Sequence, residues 1–450
     1  MSPRLRLAIP VLLVVGVVAA SLLLYAGIGA GPGDTLPKPA SQSPGLSPSG
    51  SGPGESTLVA PTIAPSPTPV PALGGTELYG YLPYWQISET TATYLDSAPL
   101  STLALFSVSA RRNGAIDARD IGYKRITGDL GRRIIDEAHA RGARVELVFT
   151  SFGGQRNGLF FGRLQRASPT PEPSPGSSAA SPAPASTPAP APTLLAAPPW
   201  QRTVPDLVAL AVDLGVDGIN VDVEQLDELD REAYGAFLGA LRTSLVGAIP
   251  DARLTVATEA GLRGMGNAVE AAAAGVDRLF LMGYDYHWSG SQPGASSPVD
   301  RTDGLYTLRW SIEQYVAAGV PRDHILLGLP LYGMSWKTIG PDRTAAVLSS
   351  GSTWIPNRHL DVLLDPAFRP GRDPLEVTEF FIRPEGNVWR VTYYDSPATL
   401  RAKLALARDQ GLAGGGFWAI GYERGLPGYL DLMRDFRGGR VGRGEAPVAP

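Results

Sequence analysis

Cysteine is absent from the 450 residues of the chain. Its absence excludes disulfides, thiol chemistry, thiolate metal sites and a lipid anchor attached through cysteine. Histidine is scarce, and no two of the four histidines have the spacing at which a helix presents two imidazoles to a metal; they are His139, His287, His324 and His359. We therefore expect no bound metal and no other cofactor.

The chain also lacks an excess of charge of either sign. Its 39 basic and 43 acidic residues give a net charge of -4. Proteins that bind nucleic acid use clustered basic residues to neutralise phosphates, and the sequence has no such cluster. We therefore expect no nucleic-acid partner, and no feature of the sequence indicates an oligomeric state.

One long hydrophobic run is present, at residues 7–30, and it follows Arg4 and Arg6. It is long enough to cross about 30 Å of hydrocarbon as a helix, whereas a cleaved signal peptide has a shorter apolar core. The run predicts a single-pass anchor in the cell membrane, with a cytoplasmic stub at residues 1–6 and the rest of the chain outside the cell. Secretion after cleavage of this segment is the alternative.

Three segments have a composition that cannot bury a core. Residues 31–75, rich in Pro, Ser, Gly and Thr, predict a disordered linker, and residues 438–450 predict a disordered tail. Residues 167–199 repeat the linker chemistry between a predicted strand and a predicted helix. We interpret this insert as a tolerated surface insertion, with a role in substrate access as the alternative.

The most informative segment is the run at residues 216–224, which alternates apolar and polar side chains. In a strand, Asn220, Asp222 and Glu224 share one face, and the apolar residues share the other. Two carboxylates this close repel each other, so one is held protonated near neutral pH and can act as a general acid. The structural alternative is an antiparallel strand with one solvated face.

The flanks of this run favour a parallel sheet. Residues 204–214 have helical spacing with Gly215 as a C-terminal stop, and Asp230 can cap a second helix that ends before Pro250. In a parallel sheet both faces are covered, so an acidic face must look into a barrel or a cleft.

The same alternation of strand and helix recurs from residue 76 to residue 437. The eight candidate strands are residues 78–81, 103–108, 145–149, 218–223, 254–258, 278–282, 325–329 and 416–419. Further candidate helices are residues 131–140, 267–274, 306–318 and 397–409, the last capped by Ser396. The pattern predicts an α/β fold, a (β/α)8 TIM barrel. Residues 337–395, with strand-like runs at 379–383 and 388–394, predict a small α+β hairpin element inserted after strand 7.

With this acidic strand and this alternation of strands and helices, the sequence resembles the glycoside hydrolase family 18 chitinases over residues 77–437. The acidic strand matches the family signature, with Asn220 where many chitinases have Asp. Further matches follow in the family's order: residues 151–154, residues 282–286, residues 332–336 and Trp418. The resemblance implies a barrel that cleaves polysaccharides carrying a 2-acetamido group.

By this resemblance, Glu224 is the general acid that protonates the glycosidic oxygen. The substrate's own acetamido carbonyl is then the nucleophile, and Asp222 and Tyr284 orient it and stabilise an oxazolinium intermediate. Asp217 and Asn220 are expected to support Asp222.

The resemblance also implies a set of substrate-binding residues. They are Tyr81, Trp85, Ser151, Met282, Asp285, Tyr332, Trp336 and Trp418. Aromatic side chains among them would stack on sugar faces, and Asp285 would bind a sugar hydroxyl. The structural alternative, core packing, is open for the aromatics and is favoured for Met282.

The implied substrate is a β-1,4-linked polysaccharide containing N-acetylglucosamine. Residues 284–291 and Asn220 resemble the bacterial spore-cortex and cell-wall lytic branch, and a membrane tether would keep the barrel near the wall, so peptidoglycan is preferred. Because the sequence contains no wall-binding repeat, chitin-like oligomers are the alternative. Two other classes stay open: a sugar-binding lectin on the same barrel and, last, a wall-associated spacer protein.

Overall fold

The computed structural model describes residues 76–165, 197–302 and 306–441. The predicted stub, anchor and linker, nearly all of the predicted insert and most of the predicted tail lie outside these ranges. Within them, no helix combines the length and the apolarity that crossing a bilayer requires.

The described residues form thirteen strands in two sheets. In chain order they are β1 Glu77–Pro83, β2 Thr102–Ser109, β3 Arg144–Phe152, β4 Gly218–Glu224, β5 Arg253–Glu259, β6 Arg278–Met282, β7 Ile325–Pro330, β8 Gly333–Thr338, β9 Ser352–Trp354, β10 Gly371–Asp373, β11 Thr378–Glu385, β12 Val388–Tyr394 and β13 Gly414–Trp418. Strands β1 to β7 and β13 close into a parallel barrel in the order β1-β13-β7-β6-β5-β4-β3-β2. The predicted TIM barrel is confirmed, and each of its eight predicted strands is present.

Most of the helices cover the outside of the barrel, and the short helix that contains Val362 packs instead against the second sheet. The helices are α1 Glu89–Leu95, α2 Ile121–Thr127, α3 Asp129–Ala140, α4 Gly154–Phe160, α5 Trp200–Leu214, α6 Arg231–Ala248, α7 Leu262–Ala273, α8 Leu308–Ala317, α9 Leu360–Leu363, α10 Pro397–Asp409 and α11 Tyr429–Arg437. Gly215 ends α5 in the left-handed conformation at φ 68°, and Ser396 caps α10 in a capping box with Thr399. Both of these terminus signals were predicted correctly.

The predicted cap at Asp230 is wrong. Asp230 precedes α6, but its side chain makes no capping bond. Both carboxylate oxygens instead accept hydrogen bonds from Arg163, at 2.9 and 3.1 Å. A charge-assisted bidentate pair is stronger than a cap to a backbone N–H, so the arginine takes the carboxylate.

Apolar side chains form two layers about the barrel wall. The larger layer lies between strands and helices and includes Ile219, Val221 and Val223 of β4. The smaller one fills the barrel interior; its buried members are Tyr79, Tyr81, Ala104, Phe106, Val148, Phe280 and Leu326. The interior layer forms a floor beneath the carboxyl ends of the strands, where active sites of this fold lie.

The inserted element is a five-stranded antiparallel sheet in the order β10-β11-β12-β8-β9. It begins at Gly333, four residues before the predicted boundary, because the residues after β7 enter the sheet as β8 almost at once. The predicted hairpin is present as β11 and β12, joined by a turn with Gly386 at φ 64°. The predicted tail begins too early, since Val441 is fully buried.

Candidate active site

The polar face of β4 points into the barrel. Strand β4 is paired in parallel with β3 and β5, and Asn220 and Asp222 are buried while Glu224 is partly buried at the strand's carboxyl end. The alternative of a solvated antiparallel strand is therefore wrong. Asn220 lies deepest, and the two carboxyls above it lie at the rim of the barrel.

A relay of two side chains holds the main chain of Glu224. Asn157, buried in α4, donates through Nδ2 to the carbonyl oxygen of Glu224 at 2.7 Å, and Gly153 N–H donates to the same oxygen at 3.3 Å. Ser151 Oγ donates to Asn157 Oδ1 at 2.7 Å, which fixes the amide. Ser151 is only 2% exposed. It therefore supports Glu224 and offers no surface to a sugar, contrary to its predicted role.

Burial and mutual repulsion raise the pKa of both catalytic candidates. Asp222 is buried, its Oδ1 has no hydrogen-bond partner among the described residues, and burial followed by the charge of Glu259 raises its pKa to about 7. Burial, Asp222, Glu259 and Asp285 together raise the pKa of Glu224 well above its usual range. Glu224 is thus protonated near neutral pH, the state that a general acid requires.

Beneath the carboxyls lies a polar network inside the barrel. Asn220 Nδ2 donates to the hydroxyls of Tyr79 and Tyr81, each at 2.9 Å, and Tyr79 donates its own proton to Glu146 at 2.5 Å. Because the single proton of Tyr79 is committed to Glu146, the Asn220 amide must present its N–H₂ to Tyr79.

Tyr81, predicted to stack on a sugar, is 1% exposed and packs edge-on against Phe280 with ring centroids 4.9 Å apart. The prediction is wrong, because this ring belongs to the interior floor. Its hydroxyl supports Asn220 instead.

A second group of candidates meets at the ends of β6 and β7. Tyr332 donates its hydroxyl proton to Asp285 Oδ1, while Ser296 Oγ accepts from the Asp285 N–H at 3.1 Å. Tyr284 lies beside Tyr332, with ring centroids 6.1 Å apart. Burial raises the pKa of the Tyr284 hydroxyl well above its usual range, so this hydroxyl stays protonated and can donate a hydrogen bond.

Partly exposed aromatic rings complete the rim. Trp418, the last residue of β13, packs edge-on against Phe106 at 4.7 Å between centroids, and Trp85 lies 6.3 Å from Trp418. Trp85 Nε1 donates to the Tyr422 hydroxyl at 3.2 Å. Met282, partly buried at the end of β6, packs against the same interior cluster. The structure thus brings both predicted indoles to the end of the barrel that holds Glu224.

Two other predicted site residues lie elsewhere. Asp217 precedes β4 and binds His139 Nε2 at 2.8 Å and the Val145 N–H at 2.7 Å. At ~3.3 Å per residue it lies roughly 16 Å along the strand from Asp222, at the opposite end of the barrel, so it cannot support that residue directly. Trp336 is 0% exposed and packs against Tyr393 in the inserted sheet, so it presents no face to a sugar.

The sequence reading missed Glu259 and Asn157. Glu259 ends β5 beside β4, and its Oε1 accepts from the Gln225 N–H at 3.0 Å. Strand alternation could have indicated it, because Thr255, Ala257 and Glu259 share one face as the acidic face of β4 does. Asn157 carries no such signal, since its partner is the main chain of a strand 67 positions away.

Among the described residues, no three His, Asp or Glu side chains are grouped so that they could hold a metal ion. A concave surface near His139 and Asp217 encloses about 330 Å³. It lies at the barrel end opposite Glu224. The grouped carboxyls and tyrosines, rather than this cavity, define the candidate site.

A closed parallel barrel with acidic and aromatic side chains at the carboxyl ends of its strands is the architecture of a TIM-barrel enzyme site. The chain belongs to the glycosyl hydrolases family 18, whose model matches residues 194–423. The resemblance noted from the motifs is thereby confirmed.

Similar proteins include both wall-lytic and chitin-directed members. The chain is 25% identical over 226 residues to the cortical fragment-lytic enzyme of Bacillus anthracis, covering 49% of this chain and 50% of that protein. It is 27% identical over 162 residues to chitinase 63 of Streptomyces plicatus, covering 32% and 24%. The chain thus spans half or less of the length of these curated relatives.

Among solved structures, the spore cortex-lytic enzyme SleL of Bacillus cereus is similar with a TM-score of 0.58 at 19% identity, covering 80% of this chain and 74% of that one. At this identity the likeness concerns the fold.

Proposed function

We propose that the chain is a glycoside hydrolase that cleaves β-1,4 linkages of polysaccharides containing N-acetylglucosamine. The observation that carries the proposal is the burial of Glu224 beside Asp222 and Glu259, which raises the pKa of the Glu224 carboxyl. A protonated carboxyl at the rim of the barrel can give its proton to the glycosidic oxygen as the bond to the leaving sugar breaks.

In this proposal the substrate supplies its own nucleophile. Its 2-acetamido carbonyl attacks the anomeric carbon with retention, and an oxazolinium intermediate forms. Asp222, whose Oδ1 has no partner among the described residues, accepts from the acetamido N–H. Tyr284 donates to the acetamido oxygen. Asp222 then offsets the positive charge of the intermediate, and Glu224, now a carboxylate, takes a proton from the attacking water.

The sugar is held by the partly exposed rim. Trp418 and Trp85 offer apolar faces to pyranose rings, and the Asp285 and Tyr332 pair offers a hydrogen-bonding edge beside Tyr284. Met282 packs against the interior apolar cluster at the same end of the barrel.

We propose peptidoglycan as the preferred polymer and chitin-like oligomers as the second candidate. A relative named for lysis of cortical fragments supports the first, and a relative named a chitinase supports the second. The apolar run at residues 7–30 supports peptidoglycan as well, because an anchor in the cell membrane with the barrel outside would keep the enzyme beside the wall. Secretion after cleavage is the alternative, and fractionation of cells with antibody detection separates the two.

The test compares release of reducing ends from purified sacculi, from chitin oligomers and from the same oligomers after N-deacetylation. We expect cleavage of sacculi and of acetylated oligomers, and none of fully deacetylated oligomers, since these lack the nucleophile. Cleavage of deacetylated oligomers at an equal rate would contradict substrate assistance. Cleavage of chitin oligomers alone would reverse the substrate preference. Binding without any cleavage would favour the lectin alternative.

A further inference from the structure

We infer that Glu259 is a positioning residue for Glu224, which fixes the turn where β4 ends and places a further negative charge beside the acid. This inference rests on the proposed role of Glu224. It concerns a carboxyl that lies outside the acidic strand itself.

The register of the barrel brings the two glutamates together. Asp222 pairs with Ala257 across the parallel β4 and β5 strands. Two residues further along each strand lie Glu224 and Glu259, the last residues of β4 and β5. Residues in register on adjacent parallel strands point to the same side, so both side chains extend the inward-facing rows of their strands.

One carboxylate oxygen of Glu259 holds the backbone that follows Glu224. Oε1 accepts from the Gln225 N–H at 3.0 Å, and Gln225 has a left-handed conformation at φ 58°. A residue with a side chain adopts this conformation only when the surroundings enforce it. The hydrogen bond from Gln225 to Glu259 is one such constraint, and it acts directly after the acid.

The other oxygen, Oε2, is buried and has no hydrogen-bond partner among the described residues. Glu259 is also held from outside the barrel, because the Tyr315 hydroxyl of α8 donates to its carbonyl oxygen at 2.7 Å. A buried carboxylate with an unsatisfied oxygen disfavours the folded state. A neutral side chain would fit this place at lower cost in folding free energy, so we assign the role in the site to the charge.

Several charged or titratable groups face this pair. Asp222 and Asp285 add negative charge at Glu224. Burial raises the pKa of Glu259, and the hydrogen bond from the Gln225 N–H and the charge of Arg263 of α7 oppose that rise. Tyr234 of α6 and Tyr315 of α8 lie close enough for the charge of Glu259 to raise their pKa values. Acidic groups therefore outnumber cations around Glu224, and the charge that they carry raises its pKa. They keep its proton in place before cleavage and make its carboxylate a stronger base towards the attacking water afterwards.

The first variant is Glu259→Gln, which keeps the shape and the carbonyl acceptor for Gln225 but removes the charge. We expect the alkaline limb of kcat against pH to move to lower pH by about one unit. We also expect the melting temperature at pH 8 to stay equal or rise. In Glu259→Ala, which also loses the acceptor, we expect the same movement of the limb and, in addition, a fall in kcat of about tenfold.

The matched control is Glu313→Gln, at an exposed glutamate on α8. It should change neither the dependence of kcat on pH nor the melting temperature. If the alkaline limb of kcat against pH does not move in Glu259→Gln, the inference is overturned. It is also overturned if Glu259→Gln has a lower melting temperature and loses activity in proportion to its unfolded fraction.

A direct titration makes the result independent of turnover. In ¹³C-glutamate NMR, the signal of the Glu224 carboxyl carbon is the one that is missing from the spectrum of Glu224→Gln. This carboxyl should titrate at lower pH in Glu259→Gln than in the wild type. Titration at the same pH in both proteins would refute the inference. Failure of the proposed function has a different signature, namely a Glu224→Gln variant that retains the wild-type rate.

Discussion

At the scale of single residues, location in the barrel separates acids of the same chemistry. Asp217 lies at the amino end of β4, 35% exposed in its side chain, and binds a histidine and a backbone N–H. Asp222, five positions on, is 4% exposed and lies beneath Glu224. The first stabilises the barrel end, and the second has the burial that suits a reacting group.

Asn157 gives a prediction about positioning. Asn157→Ala removes the donor to the Glu224 carbonyl and leaves that buried oxygen without this bond, at a cost of about 1–3 kcal/mol of stability. We expect kcat to fall about tenfold with KM nearly unchanged, because the acid loses its orientation while the sugar contacts remain. Steady-state kinetics with an N-acetylglucosamine oligomer measures both. Asn113→Ala, at an exposed asparagine, is the control; a change confined to KM in Asn157→Ala would contradict the account.

Two tryptophans give a paired prediction. Trp418→Ala should raise KM for oligomers about tenfold and leave the fold intact, because its ring lies partly exposed at the rim. Trp336→Ala should instead lower stability by about 3–5 kcal/mol, since that side chain is 0% exposed in the inserted sheet. Denaturant titration and kinetics on both variants separate the roles. A rise in KM alone for Trp336→Ala, with a loss of stability for Trp418→Ala, would show that the burial of these rings does not determine their function.

At the scale of elements, a buried ion pair joins three parts of the chain. Lys403 of α10 is 0% exposed and donates to both oxygens of Asp395, at 2.5 and 2.7 Å, and to Ser297 Oγ at 2.8 Å. Asp395 follows β12, and Ser297 belongs to the loop that also carries Ser296, the partner of Asp285. The Lys403–Asp395 pair therefore connects the inserted sheet and the loop after β6 to helix α10 of the barrel.

Lys403→Ala should destabilise the protein by about 3–5 kcal/mol, because it leaves Asp395 buried without its cation. Lys337→Ala, which breaks the exposed pair with Glu385 at 3.2 Å, should cost about 1 kcal/mol or less. Chemical unfolding of the two variants beside the wild type measures the difference. Equal losses would mean that burial of the Lys403 pair contributes nothing.

The elements themselves were largely predictable, since strand β6 and helix α10 occur at the predicted residues. Their signals are local: alternation or apolar runs for strands, capping residues and glycine for helix ends. The errors have non-local causes. Asp230 is taken by Arg163, far away in sequence, and Trp336 becomes core only when β12 packs beside β8. The same holds in the site, where the acidic strand was readable and the support from Asn157 was not.

At the scale of the whole molecule, buried acids make stability depend on pH. Burial raises the pKa values of Glu146, Asp222 and Glu423 to about 7 each, against about 4 in an unfolded chain. Between these values the folded state binds more protons than the unfolded state. The stability contributed by these groups is therefore complete below about pH 4 and is lost as the pH rises through about 7.

We accordingly expect a higher melting temperature at pH 5 than at pH 8 in scanning calorimetry. Glu146→Gln removes one of these groups inside the barrel. The variant should therefore show a smaller difference between its melting temperatures at pH 5 and pH 8 than the wild type. A melting temperature that rises from pH 5 to pH 8 would contradict the protonation states proposed for the barrel interior.

In the proposed mechanism Glu224 is the general acid, and the rate of Glu224→Gln tests this role most directly. The full chain and this variant are compared on a fluorogenic N-acetylglucosamine oligomer and on purified peptidoglycan, with Glu313→Gln as the control. The account predicts a loss in kcat of at least about 100-fold in Glu224→Gln on every substrate that the wild type cleaves, with sugar binding retained. Turnover by Glu224→Gln within a few-fold of the wild-type rate would contradict it.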